Sequence, residues 1–160
     1  MVDRECRRKE IRLRDWDYSS VASYYITICT YKHHRYFGEV VQQRMILNNL
    51  GRAANEYWTR HEEVYGIDVD EYVIMPNHIH GILTYNDSGL KPVGEVVGSF
   101  KRLVSRWAKD NGIEGFSWQQ RYFDRIIRDD REMARIRQYI HYNPLMWELE
   151  KGSAENLGGP

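Results

Sequence analysis

Apolar and polar positions along the chain follow two distinct periods, and the switches between them mark the elements. The run Tyr24-Tyr25-Ile26-Thr27-Ile28-Cys29-Thr30 is aromatic and β-branched, and it gives way to the polar Lys32-His33-His34-Arg35. This predicts a strand and a turn. From 45 to 65 the apolar residues Leu47, Leu50, Ala54, Tyr57 and Trp58 recur at three and four, the spacing of an amphipathic helix. Segment 66–75 alternates and then runs apolar, Pro76-Asn77 breaks it, and 78–85 resumes strand character. So short a connection predicts antiparallel neighbours. Beyond Asn86-Asp87-Ser88-Gly89, the set Val93, Val96, Val97, Phe100, Leu103, Val104 and Trp107 keeps helical spacing, with Lys101, Arg102, Arg106 and Lys109 mostly on the other side. Segment 116–127 is aromatic and β-prone, which predicts a fourth strand. Asp129 with Glu132 resembles a capping box, and Met133, Ile136 and Ile140 repeat at three and four, so a third helix runs to about Asn143. Pro144 should end it.

The order strand, helix, strand, strand, helix, strand, helix is a split βαβ pattern. It predicts an α+β fold, an antiparallel sheet with helices packed mainly on one face. With 160 residues and 42% hydrophobic content, one domain of this size buries roughly two thirds of its unfolded surface. We expect a single domain over 1–160, its core at about 20–150, with an arm over 1–19 and a tail over 151–160 that is too small and polar to pack. There is no run of about 18 apolar residues and no apolar stretch at the N-terminus, so the expectation is a soluble, cytoplasmic protein without a membrane partner. Cys6 and Cys29 form no CxxC pair; both are expected as thiols, Cys29 within the core.

Candidate chemistry is densest at Pro76-Asn77-His78-Ile79-His80-Gly81. Strand side chains alternate, so His78 and His80 share a face while Ile79 enters the other, and two imidazoles on one face can share a divalent metal. A polar sheet face is the alternative. A second cluster is Arg137-Gln138-Tyr139-Ile140-His141-Tyr142-Asn143-Pro144. Tyr139 and Asn143 stack four apart on a helix, and Tyr139 falls roughly 90° from the middle of the Met133, Ile136, Ile140 stripe. Position alone reads as a boundary tyrosine that packs its ring and wets its hydroxyl. Likewise, Asn143 before proline can simply end a helix.

Taken together, the motifs resemble a known family. Met75-Pro76-Asn77-His78-Ile79-His80-Gly81-Ile82 looks like the HUH motif (His, a hydrophobic residue, His) of single-tyrosine transposases. Trp118-Gln119-Gln120-Arg121-Tyr122-Phe123-Asp124, followed by Ile136 to Pro144, resembles the branch called REP-associated tyrosine transposases, and the similarity spans about residues 20 to 150 in order. The resemblance implies a ferredoxin-like or RRM-like sheet, in agreement with the element order. It implies that His78 and His80 are metal ligands, that Tyr139 is the nucleophile, and that Asn143 takes the position of a third, amide-bearing ligand, where insertion-sequence relatives carry Gln. The expected cofactor is Mg²⁺ or Mn²⁺, polarising a scissile phosphate for attack by Tyr139. A 5′-phosphotyrosine intermediate and a free 3′-OH would follow, giving single-strand endonuclease and strand-transferase activity near DNA hairpins in a bacterial cell. The implied partner is single-stranded DNA with a hairpin, and the implied state is a monomer or a homodimer.

Charge bears on that reading. Lys+Arg and Asp+Glu are 23 each, which excludes a histone-like polycation. Distribution is uneven: 101–137 holds ten basic residues against six acidic, whereas 62–71 holds five carboxylates and no Lys or Arg. Lys101, Arg102, Arg106 and Arg121 are the candidate phosphate contacts, and Trp118 and Tyr122 could stack bases. A solvated helix face explains the same charges. Two other readings remain: a non-catalytic RRM-like nucleic-acid binding module, and a small metalloprotein using the two histidines on small molecules.

Overall fold

The computed structural model describes Trp16, Tyr18 and residues 21–157, with side chains to Gly152, so the predicted arm over 1–19 lies outside the described residues except for Trp16 and Tyr18. The elements run β1 (Ala22–Cys29), a 3₁₀ turn (Tyr31–His33), β2 (Gly38–Val41), β3 (Arg44–Leu47), α1 (Asn49–Thr59), α2 (His61–Tyr65), β4 (Asp68–Ile74), β5 (His78–Tyr85), α3 (Val93–Asp110), β6 (Phe123–Ile127), α4 (Asp130–His141) and α5 (Asn143–Leu157). A four-stranded antiparallel sheet of order β4-β5-β1-β6 forms the centre. This is the expected α+β architecture.

Both faces of the central strands are covered, which is why β1 and β5 read as almost continuous apolar runs. On one face Tyr24, Ile26, Ile28, Ile79, Leu83 and Tyr85 meet Leu50, Ala54 and Trp58 of α1 and Val96, Val97, Phe100 and Val104 of α3. On the other, Tyr25 and Ile82 meet only Ile136 and Ile140 of α4, with Val73, Phe123, Ile127 and Met133 around them. Each fully buried aliphatic side chain contributes about 1.5–3 kcal/mol, so α4 rests on a much smaller apolar seat than α1 and α3 do. Gly81 lets Trp58 lie on the sheet: a Cβ there would stand 2.3 Å from Trp58 Cζ2.

Three expectations change. The helix predicted from 45 begins at Asn49, because 38–47 forms a separate β2–β3 hairpin whose turn residues Gln42 and Gln43 sit at φ 50° and 62°. Glycine or asparagine normally marks such a turn, and neither is present to announce it. The third helix does not end the fold. Tyr142 breaks it at φ −88°, ψ 4°, and Pro144 then stands in the first turn of α5, where its missing N–H is no loss. The predicted tail from 151 is therefore helical to Leu157. Cys29 is buried and is not a free thiol, and the expectation for Cys6 lies outside the described residues. No helix among the described residues is long and apolar enough to cross a membrane.

Candidate functional site

β5 carries His78 and His80 opposite Cys29 and Thr27 of β1. Ile79 between them enters the larger core, and both histidines point to the α4 face, where Ile82 also lies. Their ring centroids are 4.5 Å apart, inclined at 71°. Both are buried, at 4% and 0% exposure. His78 Nδ1 is 2.7 Å from Asn77 Oδ1. An amide oxygen only accepts, so this contact assigns the His78 proton to Nδ1 and leaves the lone pair on Nε2. His80 Nδ1 lies 2.9 Å from both Tyr25 OH and Thr27 Oγ1, which β1 presents from the neighbouring strand. Contacts of this kind on the far nitrogen hold an imidazole in the orientation a metal ligand needs.

Tyr139 approaches this pair from α4. Its ring centroid is 5.4 Å from that of His80 at 66°, and the residue is 42% exposed, at the border of the stripe as its helical position predicts. Asn143 opens α5 four residues later and is buried at 7%. The fold thus brings Tyr139 against His80 and buries Asn143 at the start of α5. Among the described residues no three His, Cys, Asp or Glu side chains cluster as a metal site. A divalent ion on His78 and His80 would take its other ligands from an amide, water or phosphate, a donor set that suits Mn²⁺ and is compatible with Mg²⁺.

The proposed DNA contacts lie elsewhere. Lys101 is half-buried, and its Nζ donates to Gln119 O at 2.8 Å while Trp118 Nε1 donates to Lys101 O at 3.0 Å. That ammonium is engaged within the protein, and burial pushes its pKa down. Trp118 packs among Phe37, Phe100 and Phe116, and both it and Tyr122 are half-buried against the same core. Arg102, Arg106 and Arg121 are exposed. Since α3 covers the sheet face opposite the histidines, Arg102 and Arg106 stand on an element that the sheet separates from them.

Nearer cations went unnoticed in the sequence. Trp147 of α5 lies 6.1 Å from His78, ring to ring, and the Arg35 guanidinium sits 5.2 Å from the Trp147 ring centre. Arg35 follows a turn in which Lys32 and His33 take φ 51° and 56°, and Asn77 Nδ2 donates to His33 O at 3.2 Å. The Lys32-His33-His34-Arg35 turn is therefore fastened to the loop that carries His78. Its charge was legible, its proximity was not. His61 and His141 are far from the pair in role: His61 packs on Trp58 and Phe100, and burial pushes its pKa down, while His141 faces Glu71.

Comparison with known proteins gives the family and the fold. The family described as Transposase IS200 like matches residues 18–143. The chain belongs to the IS200-like transposase family. It is 32% identical over 165 residues to an uncharacterized protein of Haemophilus influenzae, covering 90% of this chain and 92% of that one. It is 25% identical over 126 residues to a second Haemophilus influenzae protein, provisionally named a REP-associated tyrosine transposase, covering 69% of each. Among solved structures, a REP-associated tyrosine transposase bound to a REP hairpin superposes with a TM-score of 0.62 at 16% identity, over 87% of this chain and 74% of the other. A protein from Deinococcus radiodurans described provisionally as a transposase gives 0.50 at 17% identity, over 82% and 95%. These two likenesses are of fold. As an IS200-like transposase, the chain has its matched segment ending at Asn143, so α5 after its first residue, Trp147 included, lies beyond the family match.

Proposed function

We propose that this transposase is a metal-dependent single-stranded DNA endonuclease and strand transferase that cuts near hairpins, with Tyr139 as nucleophile. The observation that carries the reading is the approach of the half-exposed Tyr139 to two buried, same-face histidines whose Nδ1 atoms are already held by Asn77, Tyr25 and Thr27. His78 and His80 would hold a divalent cation through Nε2, with the Asn143 amide oxygen as a further ligand. The ion would act as a Lewis acid on the scissile phosphate.

The protein's own groups then do the following. The Tyr139 oxygen attacks phosphorus in line, its proton passing to water on the exposed side of the ring, and the P–O3′ bond breaks. The departing 3′ oxygen takes a proton and leaves as a 3′-OH, while the 5′ side stays on Tyr139 as a phosphodiester of tyrosine. One phosphoester replaces another, so a 3′-OH from a second strand can reverse the attack and release Tyr139 without ATP. Exposed Arg102, Arg106 and Arg121 would hold phosphates of the flanking DNA, with the Lys101 ammonium serving the Gln119 carbonyl instead.

Hairpin DNA, to which the structural neighbour is bound, is the substrate to test first. Incubating end-labelled single strands from the gene's own flanks with the protein and Mn²⁺ or Mg²⁺ should yield a covalent species on a denaturing gel that Tyr139→Phe abolishes. Binding without any adduct would favour the non-catalytic nucleic-acid module instead.

A further inference from the structure

We propose that Asp70, acting on Arg137, is a positioning residue that sets the roll of α4 and so aims Tyr139 at His80. The inference rests on the reading of Tyr139 as nucleophile and adds to it a device on the far side of the helix.

The device begins with an irregularity in β4. Val69 pairs with Leu83 and Tyr72 with Gly81, so Asp70 and Glu71 together face the single residue Ile82. This is a β-bulge, one extra residue in one strand. Val69 and Tyr72 both pack against the larger core. In a regular strand the alternation of side chains would turn one of the two intervening residues to that core as well. The extra residue instead lets both carboxylates reach α4. Arg137 Nε donates to Asp70 Oδ1 at 2.8 Å and Nη2 to Oδ2 at 2.6 Å, and Glu71 Oε1 is 3.7 Å from His141 Nδ1. Asp70 Oδ1 also accepts from the Glu71 N–H at 2.7 Å, which ties the carboxylate to the bulge itself.

On the helix these contacts oppose the tyrosine. At about 100° per residue, Arg137 and His141 fall on one flank of the buried Ile136 and Ile140, and Tyr139 falls on the other, about 160° from Arg137. The apolar seat of Ile136 and Ile140 on Tyr25 and Ile82 is small and non-directional, so it resists rotation of α4 poorly. A two-point guanidinium–carboxylate pair is directional. Tyr139 extends about 5–6 Å from the helix axis, so a roll of about 10° moves its tip by about 1 Å. A misplacement of that order can cost about 100-fold in rate.

Arg137 could instead be a phosphate contact, and the two roles predict opposite effects of Asp70. As a clamp, Asp70→Asn and Arg137→Gln should each slow single-turnover adduct formation by about 10–100-fold, with hairpin Kd unchanged within about threefold, and the double variant should be no slower than the slower single. As a DNA contact, Arg137 released by Asp70→Asn would bind more tightly, and the rate would hold or rise. An unchanged or faster rate in Asp70→Asn overturns the proposal. A second measurement needs no DNA: with 3-fluorotyrosine placed at position 139, the ¹⁹F resonance should shift in Asp70→Asn, and an unmoved resonance also overturns it. If the unaltered protein forms no adduct while that resonance still moves, the nucleophile reading fails and the clamp stands.

Discussion

Thr27 and Tyr25 offer the sharpest test of how the histidine pair is prepared. Their hydroxyls converge on one nitrogen of His80, each at 2.9 Å, and all three side chains are buried. Replacing Tyr25 by Phe and Thr27 by Val removes both oxygens and keeps the side-chain volumes close to those of the originals. Each hydrogen bond is worth about 0.5–1.5 kcal/mol net, so losing both costs about 1–3 kcal/mol in holding the ring, or about 5–150-fold in an equilibrium constant. That range agrees with the roughly 10–100-fold typical when the outer partners of metal ligands are removed. Either single variant leaves one oxygen within reach of Nδ1, and each should cost less than half of the double in free energy. The assay is single-turnover adduct formation on hairpin DNA titrated with Mn²⁺, with hairpin affinity measured separately in chelator. The midpoint should rise by about 10–100-fold in Tyr25→Phe/Thr27→Val, the rate at saturating metal should stay within about threefold, and affinity in chelator should not move. An unchanged midpoint would refute the idea that these hydroxyls orient a ligand.

Other expectations follow from the packing and charges. Gly81→Ala places a methyl 2.3 Å from Trp58 Cζ2 in the enclosed core, which should cost about 1–3 kcal/mol in denaturant unfolding and much less in a Trp58→Leu background; an equal loss in both backgrounds would contradict it. Burial lowers the His61 pKa, so its unfolded form takes up a proton first and stability should fall as pH drops through about 6.5. The Tm difference between pH 7.5 and 5.5 should shrink in His61→Gln, and an undiminished difference would show that other groups set it. Tyr139 faces His80 of its own chain, so mixing His80→Ala with Tyr139→Phe should restore no adduct; recovery would mean that copies exchange α4.

The period-two alternation of β5 was enough to put His78 and His80 on one face, because that relation is local. The flank position of Tyr139 followed equally from helical angles, and the capping pair of Asp129 and Glu132 was legible: Asp129 Oδ1 accepts from Glu132 N at 2.7 Å. Relations between strands were not. Tyr25 and Thr27 look like ordinary strand residues until the β1–β5 register sets Thr27 opposite His80. The bulge at Asp70 and Glu71 is hidden for a similar reason, since an extra residue is defined only against its partner strand. Basic residues on α3 were conspicuous as a cluster, yet sequence could not show that the sheet separates them from the histidines, or that Lys101 turns inward to Gln119. Proline misled in the opposite direction: Pro144 does interrupt a helix, but it also starts the next one, and α5 brings Trp147 against His78.

The central claim is that Tyr139 joins covalently to DNA, and peptide mapping of the trapped adduct tests it most directly. Trypsin cleavage after Arg137 and Lys151 yields one peptide holding both Tyr139 and Tyr142, and fragmentation separates the two. The account predicts a 5′-linked nucleotide on Tyr139 alone, formed only with a divalent metal. A nucleotide on Tyr142, or cleavage of hairpin DNA with no nucleotide on any tyrosine, would contradict it.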